Sequence, residues 1–313
     1  MPAISCRGLT KHYGSIVALD NLDLTIEDKV IFGFLGPNGA GKTTALKIFT
    51  GLSRATSGKA WIAGEEVVSH SCSLQSKIGY LPEEPAFYNW MTAKEYLTFV
   101  GRLFSFSSKE IKTRCGELLE LVDLSRDASR RISTYSRGMR QRLGIAQALM
   151  NKPEVLFLDE PCSALDPLGR AEVLDTLVRL KEQAATIFMS SHILADVERV
   201  CDIVGIIDRG KLVVESGVEE LRQRFAHPVF EIEFEESAAP LIGLLESLPW
   251  VEKVSSERED NVFKLRVSAR DVATAKAELP RIISGSGLTL RQYQLVLPTL
   301  EEVFIELVGN KRD

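Results

Sequence analysis

The residues whose types and spacing most clearly imply chemistry form a glycine-rich stretch at positions 36–43, with the sequence GPNGAGKT. Its glycines allow the backbone to curl until successive N–H groups point inward, which is the arrangement that binds phosphate oxygens. The ammonium of Lys42 adds positive charge for the β- and γ-phosphates of a nucleotide, and the hydroxyl of Thr43 is a suitable ligand for Mg²⁺. The stretch therefore predicts a phosphate loop.

The segments on either side of this loop predict the elements that must hold it. The apolar run at 30–35 predicts a buried strand, and residues 43–52 predict a helix whose N-terminus attracts anions. This strand–loop–helix order favours a phosphate loop over a chance glycine-rich turn. The candidate nucleotide-binding residues of this segment are Gly36, Pro37, Asn38, Gly39, Ala40, Gly41, Lys42, Thr43 and Thr44.

Two acidic residues follow a second apolar strand. Residues 155–158 read VLFL, and Asp159 and Glu160 come directly after them. The pattern places both carboxylates at the C-terminal edge of the sheet, where open α/β sheets bind their ligands. Asp159 is a candidate to hold Mg²⁺ through water, and Glu160 is a candidate general base that orients and polarises the attacking water. The strand alone also fits an ordinary acidic turn, but the phosphate loop favours the functional interpretation.

The order of predicted elements indicates an α/β protein with two domains. Strands alternate with helices around the two motifs, which predicts a mostly parallel sheet with an inserted helical block. We expect a first domain over residues 1–225, with a helical subdomain at about 84–150. Residues 228–313 follow a βαββαβ order, which predicts a small α+β domain of the ferredoxin-like type, closed by a last helix at 300–308.

Composition limits the classes of partner. The net charge is −5 and no basic block occurs, which argues against nucleic acid as the main partner. Five cysteines without a C-x-x-C pair predict reduced thiols in a cytoplasmic protein. No apolar run approaches the ~20 residues of a membrane span, so work at a membrane would require a spanning partner.

Four further motifs resemble those of ATP-binding-cassette (ABC) proteins, in the family's order. Residues 135–142, YSRGMRQR, resemble the signature motif usually written LSGGQ, and residues 163–166, SALD, resemble the D-loop. His192 after Ser190 and Ser191 resembles the switch histidine, and Tyr13 before a glycine resembles the aromatic residue that stacks on adenine. The resemblance covers roughly residues 1–225. The tail beyond 228, which ends LPTLEEVF, looks like the C-terminal extension of ABC-2-type exporter ATPases.

This resemblance implies a P-loop NTPase cassette that binds ATP and Mg²⁺, hydrolyses ATP and powers an ABC transporter. In the family two cassettes pack head to tail, so the partner would be a second copy of the chain or a paralogous cassette. Ser136 and Gly138 of one copy would then face the γ-phosphate that the other copy holds. A polytopic membrane permease subunit would complete the assembly, which implies a peripheral position on the inner face of the cell membrane and no role for nucleic acid.

The resemblance also assigns roles to single residues, some with open alternatives. His192 follows a strand expected beside that of Glu160, so its ring would reach the γ-phosphate and the attacking water. Tyr13 is assigned to stacking on adenine, with local packing as the alternative. Asp166 would either shape the dimer interface or cap the helix that follows it. Arg142 is expected to be a solvated residue on the surface.

Three positions depart from the family pattern, in two places along the chain. Glu83 stands where relatives have glutamine close to Mg²⁺ and water; a carboxylate also ligates this ion, so Glu83 is predicted to be a Mg²⁺ ligand. Arg137 and Met139 stand where many relatives have glycine and glutamine, which changes the contacts at the second nucleotide face.

Two regions beyond the catalytic motifs have alternative roles. Phe87, Tyr88 and Trp90 predict either a docking surface for the membrane subunit or aromatic packing under the helical block. The C-terminal domain carries no catalytic constellation, and it would stabilise the dimer, regulate cassette opening or serve as a packing module.

Other function classes also remain open at this point. A soluble ABC ATPase acting on ribosomes or DNA is the first alternative, although one phosphate loop and no heptad run are atypical of that class. An importer-energising subunit is the second, and a regulatory nucleotide binder without turnover is the third. Intact Glu160 and His192 argue against the last of these.

Overall fold

The computed structural model describes residues 2–69, 71–183, 185–224, 229–259, 262–296 and 299–304. The chain divides into two compact units, Met1–Val218 and Glu219–Asp313. The domain boundary expected at residues 225–228 lies outside the described residues. Within the described ranges, no helix combines the length and the apolar character needed to cross a membrane.

The first unit contains ten strands and seven helices within its described residues, numbered along the chain. Its strands are β1 (Ile4–Tyr13), β2 (Ile16–Ile26), β3 (Ile31–Leu35), β4 (Ser57–Ile62), β5 (Glu65–Glu66), β6 (Ile78–Leu81), β7 (Val155–Asp159), β8 (Thr186–Ser191), β9 (Ile203–Asp208) and β10 (Lys211–Gly217). Its helices are α1 (Lys42–Phe49), α2 (Cys72–Lys77), α3 (Ala93–Leu103), α4 (Ser108–Leu121), α5 (Arg137–Ala148), α6 (Pro167–Glu182) and α7 (Leu194–Val200).

The strands of the first unit form two sheets. One is antiparallel, with the order β2-β1-β4-β5, and the other has the order β10-β9-β3-β8-β7-β6. In the second sheet β6, β7, β8, β3 and β9 are parallel and only β10 runs antiparallel. Parallel pairing brings the carboxyl ends of β3, β7 and β8 to one edge, which is where the phosphate loop and Asp159 lie. This arrangement confirms the predicted α/β class.

The core of this sheet explains why its strands are apolar runs rather than alternating ones. Residues of β3, β7 and β8 are buried throughout, as in sheets covered on both faces. The ring of Phe188 lies at the centre of an aromatic cluster, 5.3 Å from Phe34 and 5.9 Å from Phe157 between ring centroids. Such close packing fixes the strands that position the site.

The helical block begins each of its helices with a side-chain cap. Thr92 with Glu95 and Ser107 with Glu110 form complete capping boxes at α3 and α4, and Ser136 caps α5. The cap at Ser136 fixes where α5, the helix of the YSRGMRQR segment, starts.

The expectation that Arg142 is solvated is wrong. Its side chain is 6% exposed, Nη1 donates to the carbonyl oxygen of Val122 at 2.8 Å, and Nη2 lies 2.9 Å from Glu172. The last carbonyls of α4 have no partner within their own helix and need an outside donor, which Arg142 supplies. The residue therefore ties α5 to α4 and α6.

Two local details of the first unit differ from the prediction. Helix α1 ends at Phe49 rather than at residue 52, because Gly51 adopts a left-handed conformation (φ 71°) that terminates the helix. The short helix α2 was not predicted; Ser71 caps it by accepting a hydrogen bond from the Leu74 N–H.

The second unit is a four-stranded antiparallel sheet with helices. It comprises α8 (Val218–Arg224), which begins at the last residue of the first unit, then β11 (Val229–Phe234), α9 (Ala239–Glu246), β12 (Val251–Glu259), β13 (Val262–Ala269), α10 (Val272–Gly285), β14 (Leu290–Val296) and α11 (Leu300–Phe304). The strand order β12-β13-β11-β14 is that of the ferredoxin-like arrangement, which confirms the predicted class. Residues 305–308 of the predicted last helix lie outside the described residues.

Candidate functional site

The phosphate loop joins β3 to α1 in a conformation that only glycine permits at several positions. Gly39 and Gly41 have φ values of 81° and 111°, in the left-handed region. A Cβ atom at Gly41 would lie 2.4 Å from the carbonyl oxygen of Ala18, and one at Gly36 would lie 2.4 Å from that of Ile207. The loop is therefore held against neighbouring backbone, and its shape is fixed before any ligand arrives.

Lys42 is buried at the start of α1, with 5% of its surface exposed. Its Nζ donates to the carbonyl oxygen of Gly36 at 2.7 Å and to that of Pro37 at 3.3 Å. The same atom lies 3.2 Å from Oε1 of Glu160. A buried cation is costly unless it is paired with an anion or hydrogen-bonded. The loop carbonyl oxygens and the Glu160 carboxylate provide these partners for the ammonium.

Asp159 ends β7 and receives hydrogen bonds from two hydroxyls. Its Oδ1 accepts from Oγ of Ser190 at 2.7 Å and from Oγ1 of Thr43 at 3.1 Å. Strand register accounts for the first bond, because Asp159 pairs with Ser190 between β7 and β8. Burial raises the pKa of the Asp159 carboxyl, and this effect outweighs the lowering by the two hydrogen bonds. The carboxylate thus lies beside the helix N-terminus that carries Thr43.

Glu160 is held in an uncommon backbone conformation, with a φ of 48°. Its N–H donates to Oγ of Ser190 at 3.0 Å, so the same serine fixes both acidic residues. Oε2 of Glu160 accepts from the backbone N–H of His192 at 3.2 Å and lies 2.8 Å from Nδ1 of that histidine. The Glu160 carboxylate is therefore placed between Lys42 and His192.

Lys42, Glu160 and His192 line one cleft of about 440 Å³ at the carboxyl edge of the sheet. It combines residues of the phosphate loop, the acidic strand and the switch histidine with residues that the sequence did not single out. The lining residues are Ile16, Val17, Ala18, Asn38, Gly39, Gly41, Lys42, Thr43, Thr44, Glu83, Glu160, Ser163 and His192.

The structure places Glu83 at this cleft and Tyr13 outside its lining. Oε1 of Glu83 accepts a hydrogen bond from Oγ of Ser163 at 3.2 Å. Tyr13 lies at the end of β1 with 47% of its surface exposed, and Nζ of Lys11 is 4.8 Å from its ring centroid. Glu83 is therefore within the cleft, whereas Tyr13 is an exposed ring close to the hairpin turn that carries Ile16.

Ser136 and Gly138 lie at the start of α5 and do not line the cleft of their own chain. Oγ of Ser136 accepts from the Met139 N–H at 3.2 Å, and the residue is exposed. Gly138 is buried against α6, where a Cβ atom would lie 3.1 Å from Cα of Gly169. Gly138 is thus needed for close approach of two helices in one chain, a reason that its motif did not reveal. Asp166 occupies the N-cap position of α6, but its side chain makes no capping hydrogen bond.

The donor set suits a hard cation in part. Thr43 and Asp159 present oxygen atoms 3.1 Å apart, and oxygen ligands are those that Mg²⁺ prefers. Across the described ranges of the chain, no group of three or more His, Cys, Asp or Glu side chains is arranged to hold a metal. The residues therefore fit an ion that takes most of its ligands from water and substrate phosphates, which is the usual habit of Mg²⁺.

Two serines were missed by the sequence reasoning. Ser190 links Asp159 to Glu160, and Ser163 links the segment after Glu160 to Glu83. Both lie in segments whose predicted role was assigned to another residue: Ser190 in the segment of His192, and Ser163 in the segment of Asp166. The alignment of parallel strands offered a signal for Ser190, because it lies in the neighbouring strand β8 at the position opposite Asp159.

The aromatic residues after β6 differ in their packing and in their exposure. The ring of Phe87 packs edge-on against Tyr96, with centroids 5.1 Å apart. Tyr88 and Trp90 are 43% and 67% exposed, and their ring centroids are 4.9 Å apart. An aromatic pair that leaves this much surface exposed beside a helical block is a candidate contact surface.

Comparison with known families agrees with the motifs. The sequence profile described as "ABC transporter" matches residues 19–163, and a profile described as the C-terminal domain of DrrA1-3-like ATP-binding proteins matches residues 217–308. The two profiles together cover parts of both units.

Individual relatives extend this agreement over nearly the whole chain. The chain is 40% identical over 306 residues to the uncharacterized ABC transporter ATP-binding protein YxlF of Bacillus subtilis (strain 168), a match that covers 97% of this chain and 99% of that protein. It is 32% identical over 310 residues to the daunorubicin resistance ATP-binding protein DrrA3 of Streptomyces coeruleorubidus, covering 99% and 97% respectively.

A solved structure supports the fold of the first unit. It is a dimeric ATP-binding cassette in a post-hydrolysis state bound to ADP and Pi, with a TM-score of 0.61 and 26% identity. The match covers 68% of this chain and 98% of that one. The resemblance deduced from the motifs is thereby confirmed.

Proposed function

The chain belongs to the ABC transporter family of ATP-binding proteins, whose cassettes are ATPases, and we propose that it powers an exporter of the ABC-2 type. End-to-end similarity to a drug-resistance ATP-binding protein, with the match to the C-terminal domain of DrrA1-3-like proteins, supports the exporter assignment. The geometry that carries the proposal is the convergence of Lys42, Glu160 and His192 in one cleft beside the phosphate loop.

In this proposal the loop and the start of α1 hold the phosphates of ATP. Loop N–H groups and the first N–H groups of α1 have no intrahelical partner, so they are available to phosphate oxygens. Lys42 supplies the positive charge. Its ammonium lies between the carbonyl oxygen of Gly36 in the loop and the carboxylate of Glu160. Tyr13 is proposed to stack on adenine from its exposed position at the end of β1.

Mg²⁺ is proposed to bind next to Thr43 and Asp159, with Glu83 as a further oxygen ligand. When bound, this ion would neutralise charge on the phosphates. The chain's own contribution is to hold the Thr43 hydroxyl and the Asp159 carboxylate together at the helix start. Glu83 brings an extra negative charge to the cleft, and its hydrogen bond with Ser163 orients it.

Glu160 is proposed as the general base for hydrolysis. Its carboxylate lies at the cleft, where Oε1 is 3.2 Å from Nζ of Lys42 and Oε2 is 2.8 Å from Nδ1 of His192. His192 is 43% exposed at its side chain, so its ring has room to contact a nucleotide phosphate while keeping Glu160 in place. The two residues then align the attacking water with the phosphate. Phosphoryl transfer depends mainly on such positioning and on electrostatic stabilisation.

The second nucleotide face is proposed to come from another cassette, either a second copy or a paralogue. Ser136 is exposed at the N-terminus of α5 and Gly138 lies in its first turn, so the positive end of this helix is accessible to a phosphate held elsewhere. The similar solved structure is dimeric, which supports this arrangement. A single chain would then bind ATP but hydrolyse it poorly.

The proposed membrane partner is a polytopic permease that places this chain on the inner face of the cell membrane. Exposed Tyr88 and Trp90 supply an aromatic surface on the helical block that suits such docking. The permease would choose the transported substrate. An importer or a ribosome- or DNA-directed ATPase is less well supported, because the relatives that match both units include a drug-resistance protein.

The proposal is tested by replacing Glu160 with glutamine in the full chain. Glu160→Gln keeps the shape of the side chain but cannot accept the proton, so ATP turnover should fall by about 100-fold or more while ATP binding persists. The dimer should then accumulate in the presence of ATP, which size-exclusion chromatography would detect. Glu66→Gln is the matched control, because Glu66 forms only an exposed pair with Lys59. Retained turnover in Glu160→Gln would refute the assignment of the base.

A further inference from the structure

A third buried carboxylate, besides those of Asp159 and Glu160, belongs to none of the recognised motifs. Asp196 is in the first turn of α7, four positions after His192, and only 1% of its surface is exposed. A carboxylate this deeply buried costs several kcal/mol unless a charged partner compensates for it. Its presence therefore calls for a structural or functional reason.

The compensating partner is on a different helix. Nε of Arg170, in the first turn of α6, lies 2.6 Å from Oδ1 of Asp196. Oδ2 of Asp196 has no hydrogen-bond partner within the described part of the chain. The carboxylate is thus held from one side by α6 and is not saturated by hydrogen bonds, which leaves its position dependent on the Arg170 contact.

A third segment also meets this carboxylate. Cys162, two positions after Glu160, is buried beside Asp196, and burial first and Asp196 second raise the pKa of its thiol. Asp196, which lies in the helix that follows His192, therefore contacts the helix that follows the SALD motif and influences the segment that leaves Glu160. These are the three segments whose relative positions set the geometry of the cleft.

The contact between Glu160 and His192 has little other support on the histidine side. The His192 side chain is 43% exposed, and its two contacts with Oε2 of Glu160 are made by its ring Nδ1 and its own backbone N–H. The ring position is therefore set by the backbone between β8 and α7. Anything that holds α7 against the segment after Glu160 also holds this contact.

We propose that Asp196 is a positioning residue for ATP hydrolysis: through its ion pair with Arg170 it fixes α7, which follows His192, against α6, which follows the Glu160 segment. It touches no nucleotide and moves no proton. The inference rests on the roles proposed above for Glu160 and His192. Loss of the Asp196 carboxylate would leave the phosphate loop intact but let His192 move away from Glu160. Small misplacements of catalytic groups reduce the reaction rate strongly.

The molecule offers a matched control on the same pair of helices. Arg199 of α7 and Asp175 of α6 form an ion pair of 2.7 Å, but their side chains are 48% and 53% exposed. This pair links α6 to α7 without lying near Cys162 or Glu160 in the chain. Asp175→Asn therefore removes an ion pair between the same helices without touching the proposed positioning contact.

The experiment measures kcat and KM for ATP on the full chain for Asp196→Asn, Arg170→Gln, the double variant and Asp175→Asn. We expect kcat to fall about tenfold in both single variants with KM within about twofold, and the double variant to be no worse than the more affected single. Asp175→Asn should match the wild type. Unchanged kcat in a folded Asp196→Asn, or an equal loss in Asp175→Asn, would overturn the inference.

A second readout does not depend on turnover. His192 is one of four histidines in the chain, so its imidazole ¹⁵N resonances are assignable by substitution. They should shift in Asp196→Asn and Arg170→Gln and stay in place in Asp175→Asn; identical spectra would overturn the inference. If Asp196→Asn fails to fold, the partly exposed Arg170→Gln decides the question by the same criteria. Glu160→Gln in the same assay distinguishes a failure of the proposed function from a failure of this inference. Retained turnover in that variant would refute Glu160 as the base and not the role of Asp196.

Discussion

The two units of this chain differ in the burial of their charged side chains and in the strain of their backbone. In the first unit Lys42, Asp159 and Glu160 are at most 7% exposed, and Glu160 and Ala164 carry left-handed backbone angles. In the described part of the second unit, no charged side chain is buried to this degree and no residue other than glycine has a positive φ. Its ionic groups instead lie partly exposed on one face of the sheet.

The ion pairs of the second unit illustrate the difference. Lys264 lies 3.2 Å from Glu231, and Arg266 lies 3.3 Å from Glu302, all with side chains between 13% and 41% exposed. Pairs of this kind contribute little to stability and do not restrict the backbone. Buried charge and strained backbone are costly, so they persist where the surrounding structure holds them for a purpose.

From this contrast we propose that ATP hydrolysis depends on the region around Lys42, Asp159 and Glu160, and that the second unit serves as a packing module. A substitution in the cleft should then change ATP chemistry more than stability. A substitution in the second unit should change stability more than ATP chemistry. The predictions below are ordered by the size of the effect.

Lys42→Ala should have the largest effect on ATP. A charge-assisted contact with phosphate is worth ~1.5–3 kcal/mol, so the Kd for ATP should rise about 10- to 100-fold and turnover should fall further. Titration calorimetry with ATP measures the first effect and phosphate release the second.

Lys211→Ala is the control for this variant. Lys211 pairs with Asp20 at 3.1 Å while 67% exposed, so its loss should leave both quantities near wild type. Similar losses in the two variants would contradict the view that burial in the cleft is what gives Lys42 its role.

Leu265→Ala should have the largest effect in the second unit. Leu265 is fully buried in β13, within the apolar core of that unit, and removing such a side chain costs ~2–5 kcal/mol of unfolding free energy. Denaturant unfolding measures the loss, and ATP affinity at low denaturant should be unchanged.

Leu290→Ala is the comparison within the same sheet. Leu290 of β14 is 46% exposed, so the change in unfolding free energy should stay within ~0.5 kcal/mol. A fall in ATP affinity in the folded Leu265→Ala variant would show that the second unit does more than pack.

Much of this architecture was predictable because its signals are local. The phosphate loop, the acidic strand and the caps at Thr92, Ser107 and Ser136 each depend on residues within a few positions of one another. The βαββαβ order of the second unit was predictable for the same reason, since alternation and turn residues mark each element. The strand order and the fold class followed from these elements.

What the sequence did not reveal depends on contacts between distant segments. Arg142 looked like a surface residue because it stands in a basic helix N-terminus with Arg137 and Arg140, but the end of α4 and helix α6 fold against it and supply Val122 and Glu172 as partners. Ser190 and Asp196 were likewise passed over, since each acts on a segment about thirty positions away. Such roles become visible only when the sheet register and the helix packing are known.

The smallest predicted effect is a change in Tm on replacing one aspartate in each unit. It tests the contrast most directly, because the pKa values of the two carboxyls are shifted in opposite directions. Burial raises the pKa of Asp159, whereas hydrogen bonds from the Thr274 side chain and from backbone N–H groups lower the pKa of Asp271 at the start of α10. A carboxyl with a raised folded-state pKa favours the fold when protonated, and this contribution is lost as the pH rises through that pKa. A carboxyl with a lowered pKa favours the fold when ionised, and this contribution is lost as the pH falls through it.

Asparagine substitutions should therefore act in opposite directions at neutral pH. Asp159→Asn should raise the Tm slightly while reducing ATP turnover about 100-fold, since it removes the proposed Mg²⁺ contact. Asp271→Asn should lower the Tm slightly and leave turnover unchanged, because its role is to cap α10. Both differences from wild type should shrink as the pH is lowered through the carboxyl range, which a series of thermal melts would show. A fall in Tm for Asp159→Asn at neutral pH would mean that its hydrogen bonds with Ser190 and Thr43 outweigh the cost of its burial, and the cleft would then be a stabilising region rather than a costly one.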